Sequence, residues 1–433
     1  MISKIKNFLF FPIANYFAFF AKIQLKKWNP RVIVVTGSSG KTTLFSFVES
    51  QLKDIAHFSH HANSAIGVPF DILDLHRKSL LPHEWIFIIL KAPFHAYKKP
   101  YKEKLYVVEC DADRPGEGEF LSKLLHPEVT LWISTSRTHS MNFDKLVSTE
   151  RHSASEKRKV FTNVETAIAH EFGNFLENTS KLVVINKHSD LMQKQKHRTK
   201  AEIKEVGIED LTSYNIGRDG TTFEIKNKAR IKLHQLLPRE VFYSIEMTKL
   251  LCDYLEVKID PSFKNLHLPP ARSSIFRGIK DITIIDSTYN ANLSSMTAIL
   301  HMFKLFPAKK KWAVIGDMLE QGVNEQEEHQ KLAKLLLGLE LERIVFLGPR
   351  VKKFTYPILQ EEYGEKIPMV AYESPKEVLV YLQKHLKGRE TILFKGARFL
   401  EGVIENLLLD RKEKTLLARR EKVWDRRRKK WGL

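Results

Sequence analysis

The sequence predicts an α/β protein made of two successive domains, each with a parallel sheet. Three observations predict it. Short β-branched runs recur along the chain, separated by segments of helical spacing, the alternation that builds helix-covered parallel sheets. The first run, Val32–Thr36, leads into a glycine turn at Gly37–Gly40 and a helical pattern over Thr42–Leu52. A proline break at His267–Ala271 interrupts the alternation, which then starts again.

Further buried strands are expected at Leu105–Glu109, Val129–Ser134, Leu182–Asn186, Ile282–Asp286, Trp312–Gly316, Arg343–Gly348 and Glu390–Phe394. Residues Asp210–Leu236 read as short strands with a turn at Asp219-Gly220, a β excursion closing the first domain. The expected organisation is an N-terminal helix over 1–30, a central domain over 31–268, a second domain over 269–410 and a basic tail over 411–433. No internal repeat or low-complexity linker is visible.

The N-terminal stretch Asn7–Leu25 follows Lys4 and Lys6 and is rich in aromatics, but Pro12, Asn15 and Lys22 interrupt it. A spanning helix needs roughly 20 predominantly apolar residues, so this one is marginal. No small-x-small cleavage site follows it. Two placements stay open: a helix lying on a membrane surface, or one packed on the following domain.

The 433 residues are 43% hydrophobic, ample for a buried core. Cys110 and Cys252 are the only cysteines, which excludes a disulfide framework and fits a reducing compartment. The net charge of +19 favours anionic partners without choosing among them. The excess is densest in Arg411–Leu433, read as a solvated basic helix or frayed tail, with membrane or RNA contact as the alternative. No nucleic-acid-binding motif is present.

The strongest chemical signal is Gly37-Ser38-Ser39-Gly40-Lys41-Thr42-Thr43 between a strand and a helix. Glycines let backbone N–H groups turn around a phosphate, and the helix N-terminus adds its dipole. Lys41 suits the β/γ-phosphate oxygens and the Thr42 hydroxyl suits Mg²⁺. Only two residues separate Gly37 from Gly40-Lys41, where the usual P-loop has four.

That shortened loop resembles the Mur ligases and their folate ligase relatives. The resemblance continues in order over about Val32–Leu408. It runs through Asn63-Ser-Ala-Ile-Gly67-Val-Pro69, Glu109 with Pro115-Gly116, Ser134–Phe143 with His139, Asp286-Ser-Thr-Tyr-Asn-Ala-Asn292, Val314-Ile-Gly-Asp317-Met-Leu-Glu320 with His329, and Lys395-Gly-Ala-Arg398. The YNAN and GDMLE elements are closest to the branch that adds D-Ala-D-Ala.

The resemblance implies a P-loop ATPase-like central domain followed by a smaller Rossmann-like domain. It implies an ATP- and Mg²⁺-dependent ligase that activates a carboxylate as an acyl phosphate and couples it to an amine. Lys41, Glu109 and His139 would be catalytic, and Thr42, Glu109 and His139 would hold magnesium. Gly37–Thr43, Arg272, Asp286 and Asn290 would bind the nucleotide. Asn63, Asn292, Asp317, Lys395 and Arg398 would face the substrates. These would be a peptidoglycan precursor and an amino acid or dipeptide. A cytoplasmic monomer is expected, with peripheral seating on the inner membrane face open. Nucleic acid is not expected as a partner.

Three features depart from the family pattern. Only about 30 residues precede the first core strand, where relatives have a domain for the UDP of the substrate. In Ala167–Asn174, Phe172 stands where the family has a carbamylated lysine, leaving His170 or Glu171 as substitute ligands. Leu237–Ser244 replaces the element that helps hold adenine. The departures favour two alternatives: a Mur-type ligase with a lipid-linked or other acceptor, and a membrane-associated ATP-binding scaffold without ligase activity.

Overall fold

The computed structural model describes residues 2–60, 62–77, 84–147, 161–226, 230–397 and 399–433. The chain forms two compact units, Met1–Ile208 with Val241–His267, and Glu209–Glu240 with Leu268–Leu433.

The first unit contains strands β1 (Arg31–Thr36), β2 (Ala56–Phe58), β3 (Leu105–Cys110), β4 (Val129–Trp132), β5 (Leu182–Asn186) and β6 (Glu202–Val206). Its helices are α1 (Ile2–Trp28), α2 (Lys41–Leu52), α3 (Gly67–Ile72), α4 (Glu84–Ala96), α5 (Glu117–Leu125), α6 (Val164–Glu177), α7 (Asp190–Gln193) and α8 (Val241–Tyr254). The sheet order is β2-β3-β1-β4-β5-β6 and every pairing is parallel. Continuous β-branched runs suit strands covered on both faces, and β1 is buried from Val32 to Thr36. The chain moves one way from β1 to β2 and reverses through β3 to β4. The carboxyl ends of β1, β3 and β4 therefore surround a topological switch point, where open α/β sheets bind ligands.

The second unit contains β7 (Leu211–Gly217), β8 (Gly220–Ile225) and β9 (Ile231–Leu233), an antiparallel meander. It continues with β10 (Ser274–Arg277), β11 (Thr283–Ser287), β12 (Lys311–Gly316), β13 (Arg343–Leu347), β14 (Met369–Tyr372) and β15 (Thr391–Lys395). Helices α9 (Leu293–Leu305), α10 (Glu325–Leu337), α11 (Tyr356–Tyr363), α12 (Pro375–His385), α13 (Leu400–Leu407) and α14 (Lys422–Lys430) complete it. The sheet order is β10-β11-β15-β12-β13-β14, parallel except for β10. β15 inserts between β11 and β12, making a second switch point there.

Two expectations are corrected. The meander over Asp210–Leu236 does not close the first domain. Leu236 is buried with Ile285, Met296 and Leu300, and Ile216 packs against the same cluster, so these strands belong to the second unit. Of the two readings of the basic segment, the helix stands, as α14, and the frayed tail does not. Glu401, almost wholly buried, draws Arg419 to 3.5 Å and the buried Arg428 to 3.9 Å, which ties the segment down.

Helix α1 packs on α3 and α4. Ala14, Phe17, Ala18, Ala21 and Trp28 are buried at helical spacing, and the Phe17 ring meets Phe70 at 4.6 Å. No helix among the described residues is long and apolar enough to cross a membrane. Replacing Phe17 with alanine should cost about 3–5 kcal/mol, the usual range for a large core aromatic. Urea unfolding followed by tryptophan fluorescence measures this. An unchanged midpoint would show that α1 contributes nothing to the core.

Candidate active site

The Gly37–Gly40 turn is built against the end of β4. Gly37 has φ 136, and a Cβ there would lie 2.8 Å from the Ser134 carbonyl oxygen, so only glycine fits. Ser38 N–H donates to that carbonyl at 3.0 Å, and Ser39 N–H donates to Ser134 Oγ at 2.8 Å. Ser38 Oγ donates to the Ser136 carbonyl at 2.9 Å. Gly40, also at positive φ, caps α2. The first N–H groups of a helix have no partner within it, so the turn aims the donors of Lys41, Thr42 and Thr43 and the helix dipole at one place.

Lys41 is buried. Its Nζ donates to the Gly37 carbonyl at 2.6 Å and pairs with Asp111 Oδ2 at 2.8 Å. Burial works against its charge, but the carboxylates of Asp111, Glu109 and Asp113 outweigh that and hold its pKa above the ordinary lysine value. Burial likewise opposes the Asp111 charge, and Lys41 overcomes it and keeps Asp111 below the usual range. Thr42 Oγ1 donates to Glu109 Oε1 at 3.4 Å.

His139 lies beside Asp113, with Nε2 3.0 Å from Oδ1. Asp111, Asp113 and His139 bring one ligand atom each to within 4.8 Å of one another. Burial and the neighbouring Asp111 push Asp113 up to about 6, against the pull of His139. His139 has φ 52, in the left-handed region that histidine enters more often than most non-glycine residues. Sequence reasoning grouped His139 with Thr42 and Glu109 and did not single out Asp111 and Asp113. Their alternation past the end of β3 was visible, but only the fold shows His139 arriving between them.

Other candidates take supporting places. The Asn63 carbonyl accepts from Asp111 N–H at 2.8 Å while its side chain is exposed. Glu117 is wholly buried and accepts from Ala65 N–H at 2.8 Å; burial pushes its carboxyl up to about 7, against the pull of that hydrogen bond. Phe172 is fully buried 6.0 Å from the Trp132 ring, so that helix position supplies no ligand. Glu171 accepts from Gly118 N–H at 3.2 Å and supports the start of α5.

In the second unit, Asp286, Lys395 and Arg272 gather at the ends of β11 and β15. Lys395 is buried, and its Nζ donates to the Asn290 carbonyl at 2.6 Å. Burial first, and then Arg272, push its pKa down to about 7, against the pull of Asp286. Asp286 accepts from Thr288 N–H at 3.0 Å and Thr288 Oγ1 at 2.7 Å, yet burial holds it at about 6. Its Oδ2 is buried with no hydrogen-bond partner among the described residues. The Arg272 guanidinium lies 4.4 Å from the Tyr289 ring, and Asn290 is exposed beside it. This is a cationic wall able to take an anion.

Asn292 caps α9 through Ser295 N–H at 2.8 Å. Asp317 accepts from Arg350 N–H and Val351 N–H, each at 3.0 Å, the capping role sequence already allowed for it. Arg398 lies outside the described residues.

Residues 271–398 match the model of the Mur ligase, glutamate ligase domain. The chain is 23% identical over 410 residues to the UDP-N-acetylmuramoyl-tripeptide--D-alanyl-D-alanine ligase of Haemophilus influenzae, covering 90% of this chain and 80% of that protein. Over most of its length the chain is similar to the Mur ligases, and residues 271–398 carry the match to their C-terminal domain. The Bacillus subtilis ligase of the same name is 22% identical, covering 90% and 78%. The structure of MurF from Thermotoga maritima in complex with ADP superposes with a TM-score of 0.72 at 20% identity, covering 93% of this chain and 84% of that one. The similarity is thus to ligases, over nine-tenths of this chain in the Haemophilus and Bacillus proteins.

Two outcomes follow. Lys41→Ala should weaken ATP binding roughly 100-fold or more, as loss of a preorganised phosphate donor does; calorimetry checks it, and unchanged affinity would refute the P-loop assignment. Lys395 has a folded pKa below its unfolded one. Its penalty is therefore full below pH 7 and is relieved as pH rises toward the ordinary lysine value, because the unfolded chain then binds the extra proton. Lys395→Met should remove that rise from the pH dependence of stability.

Proposed function

We propose that this enzyme joins a D-Ala-D-Ala-type amine to the carboxylate of a peptidoglycan precursor through an acyl phosphate. What carries the reading is Lys41, buried among carboxylates at the switch point of β1, β3 and β4, in a chain that follows the D-alanyl-D-alanine ligases over most of its length.

A substrate carboxylate oxygen attacks the γ-phosphorus of ATP and ADP leaves. The amine nitrogen then attacks the acyl carbon, phosphate leaves, and the nitrogen loses a proton. Lys41 exchanges Asp111 for the β/γ oxygens, and the α2 N-terminus orients them. The donors fit magnesium, a hard cation that prefers oxygen ligands. Thr42 with Glu109, and His139 with Asp111 and Asp113, would hold it. Bound there, the cation neutralises charge on the transferring phosphoryl group. Arg272 and Lys395 are suited to an anionic group of a substrate or nucleotide, with Asp286 and Asn290 beside them.

The same reading includes contact of α1 and the basic segment with an anionic membrane surface. A lipid-linked acceptor is the second reading, favoured by the exposed aromatics of α1 and α4.

Phosphate release from Mg-ATP tests the proposal. Release should require both UDP-muramoyl-tripeptide and D-Ala-D-Ala, and His139→Ala should lower turnover more than ATP affinity. Release only with lipid-linked acceptors would replace the substrate assignment. ATP binding without release on any acceptor would overturn ligase activity.

A further inference from the structure

The first unit presents an apolar face that the reaction does not use. Helix α4 buries Ile88, Ala92 and Ala96 at four-residue spacing, so its other faces point outward. Ile86, Phe87, Leu90, Phe94 and Tyr97, with Phe19 of the neighbouring α1, are 61–76% exposed. Of the twenty large hydrophobic side chains exposed among the described residues, nine lie on α1, α4 or the residue just past α4, which makes this a patch rather than scatter. The two helices are held together: Tyr16 Oη donates to the Ile89 carbonyl at 2.9 Å, and Lys27 Nζ donates to the Lys98 carbonyl at 2.8 Å.

The charges beside the patch are mainly basic, the exposed Asp74, 3.5 Å from Lys98, being the acidic exception. Helix α1 contains no acidic residue, and Lys22, Lys26 and Lys27 lie exposed along its second half. Lys91, Lys98 and Lys99 are exposed on and after α4. The one acidic residue of α4, Glu84, is half-buried 4.0 Å from Arg77. Aromatic side chains flanked by lysines match a helix face lying in the headgroup region of a bilayer. Neither helix can cross one. A symmetric contact between two copies would set the same lysines against each other, whereas anionic headgroups neutralise them.

We infer that the paired faces of α1 and α4 form a docking platform for an anionic lipid bilayer, with α4 supplying most of the inserted side chains. The inference deepens the membrane contact proposed above for α1 and extends it to a helix with no assigned role. Docking of this kind holds an enzyme at a surface through helices that do not span it.

Sedimentation of the full chain with vesicles tests it, without nucleotide or acceptor. The protein should pellet with phosphatidylglycerol–phosphatidylcholine vesicles and stay in solution with pure phosphatidylcholine. Phe87→Ser with Phe94→Ser should weaken binding roughly tenfold or more, since both rings lose their apolar burial. Thermal melting and ATP affinity of that variant should match the parent, because neither ring is packed in the core. Lys22→Glu with Lys26→Glu should weaken binding to the anionic vesicles alone. Failure of the parent to pellet with anionic vesicles overturns the inference. So does retention of binding by the phenylalanine variant, or a dimer in sedimentation velocity that this variant abolishes while vesicles bind neither form. Vesicle binding with no phosphate release would sink the ligase reading and leave the platform standing.

Discussion

The buried ion pair between Lys41 and Asp111 is the constraint around which the ends of β1, β3 and β4 are arranged. Removing two such charges from water costs several kcal/mol each, and only close pairing with further hydrogen bonds offsets it. Here the Gly37 carbonyl supplies the extra acceptor. The register of β1 on β3 sets Thr36 opposite Cys110, which delivers Asp111 one residue beyond the sheet, facing the turn. Ser134 at the end of β4 then fixes the turn itself. In the proposed reaction a phosphate takes Lys41 from Asp111. The released carboxylate must then find another cation, and the metal that accompanies the nucleotide would meet that need beside Asp113 and His139. Phosphate and cation binding are thereby linked through one side chain.

Lys395 shows what the same residue type does without that company. Both lysines are buried, yet Lys41 is held above its ordinary pKa and Lys395 falls to about 7. The difference is the neighbourhood. Lys41 has three carboxylates nearby, whereas Lys395 has Arg272 opposing one aspartate. One site is charged before any ligand arrives, and the other gains its charge most readily when an anion enters. The first arrangement suits permanent phosphate binding, and the second suits a substrate that comes and goes.

Much of this was legible in sequence because parallel strands buried on both faces write themselves as β-branched runs. All eight core strands expected from sequence appear within one or two residues of their places. The short edge strands β2, β10 and β14 carry three or four residues each, too few for a pattern. The meander over β7–β9 was visible as strands, but its partner was not. Alternation marks a buried face without saying what buries it, and Leu236 and Ile216 turn out to pack in the second unit. At the site, the glycine loop was legible because backbone geometry demands those residues. Asp111 and Asp113 carry no such mark, because their meaning depends on His139, 28 and 26 residues away in sequence.

The N-terminal helix left two placements open because both faces of α1 carry apolar residues for different reasons. Phe17, Ala21 and Trp28 pack inward, and Phe19 looks out. Composition sums the two faces and so reads as a marginal membrane segment. The helix also reaches the site: Arg114, next in chain to Asp113, has its guanidinium 3.7 Å from the Phe10 ring and 3.7 Å from Glu117. Deleting α1 would therefore remove a core element and unseat the acidic loop as well as any lipid contact. Loss of activity after such a deletion would say nothing about membranes. Only substitutions on the outward face, which leave Phe10, Phe17 and Trp28 in place, separate the helix that builds the site from the surface it presents.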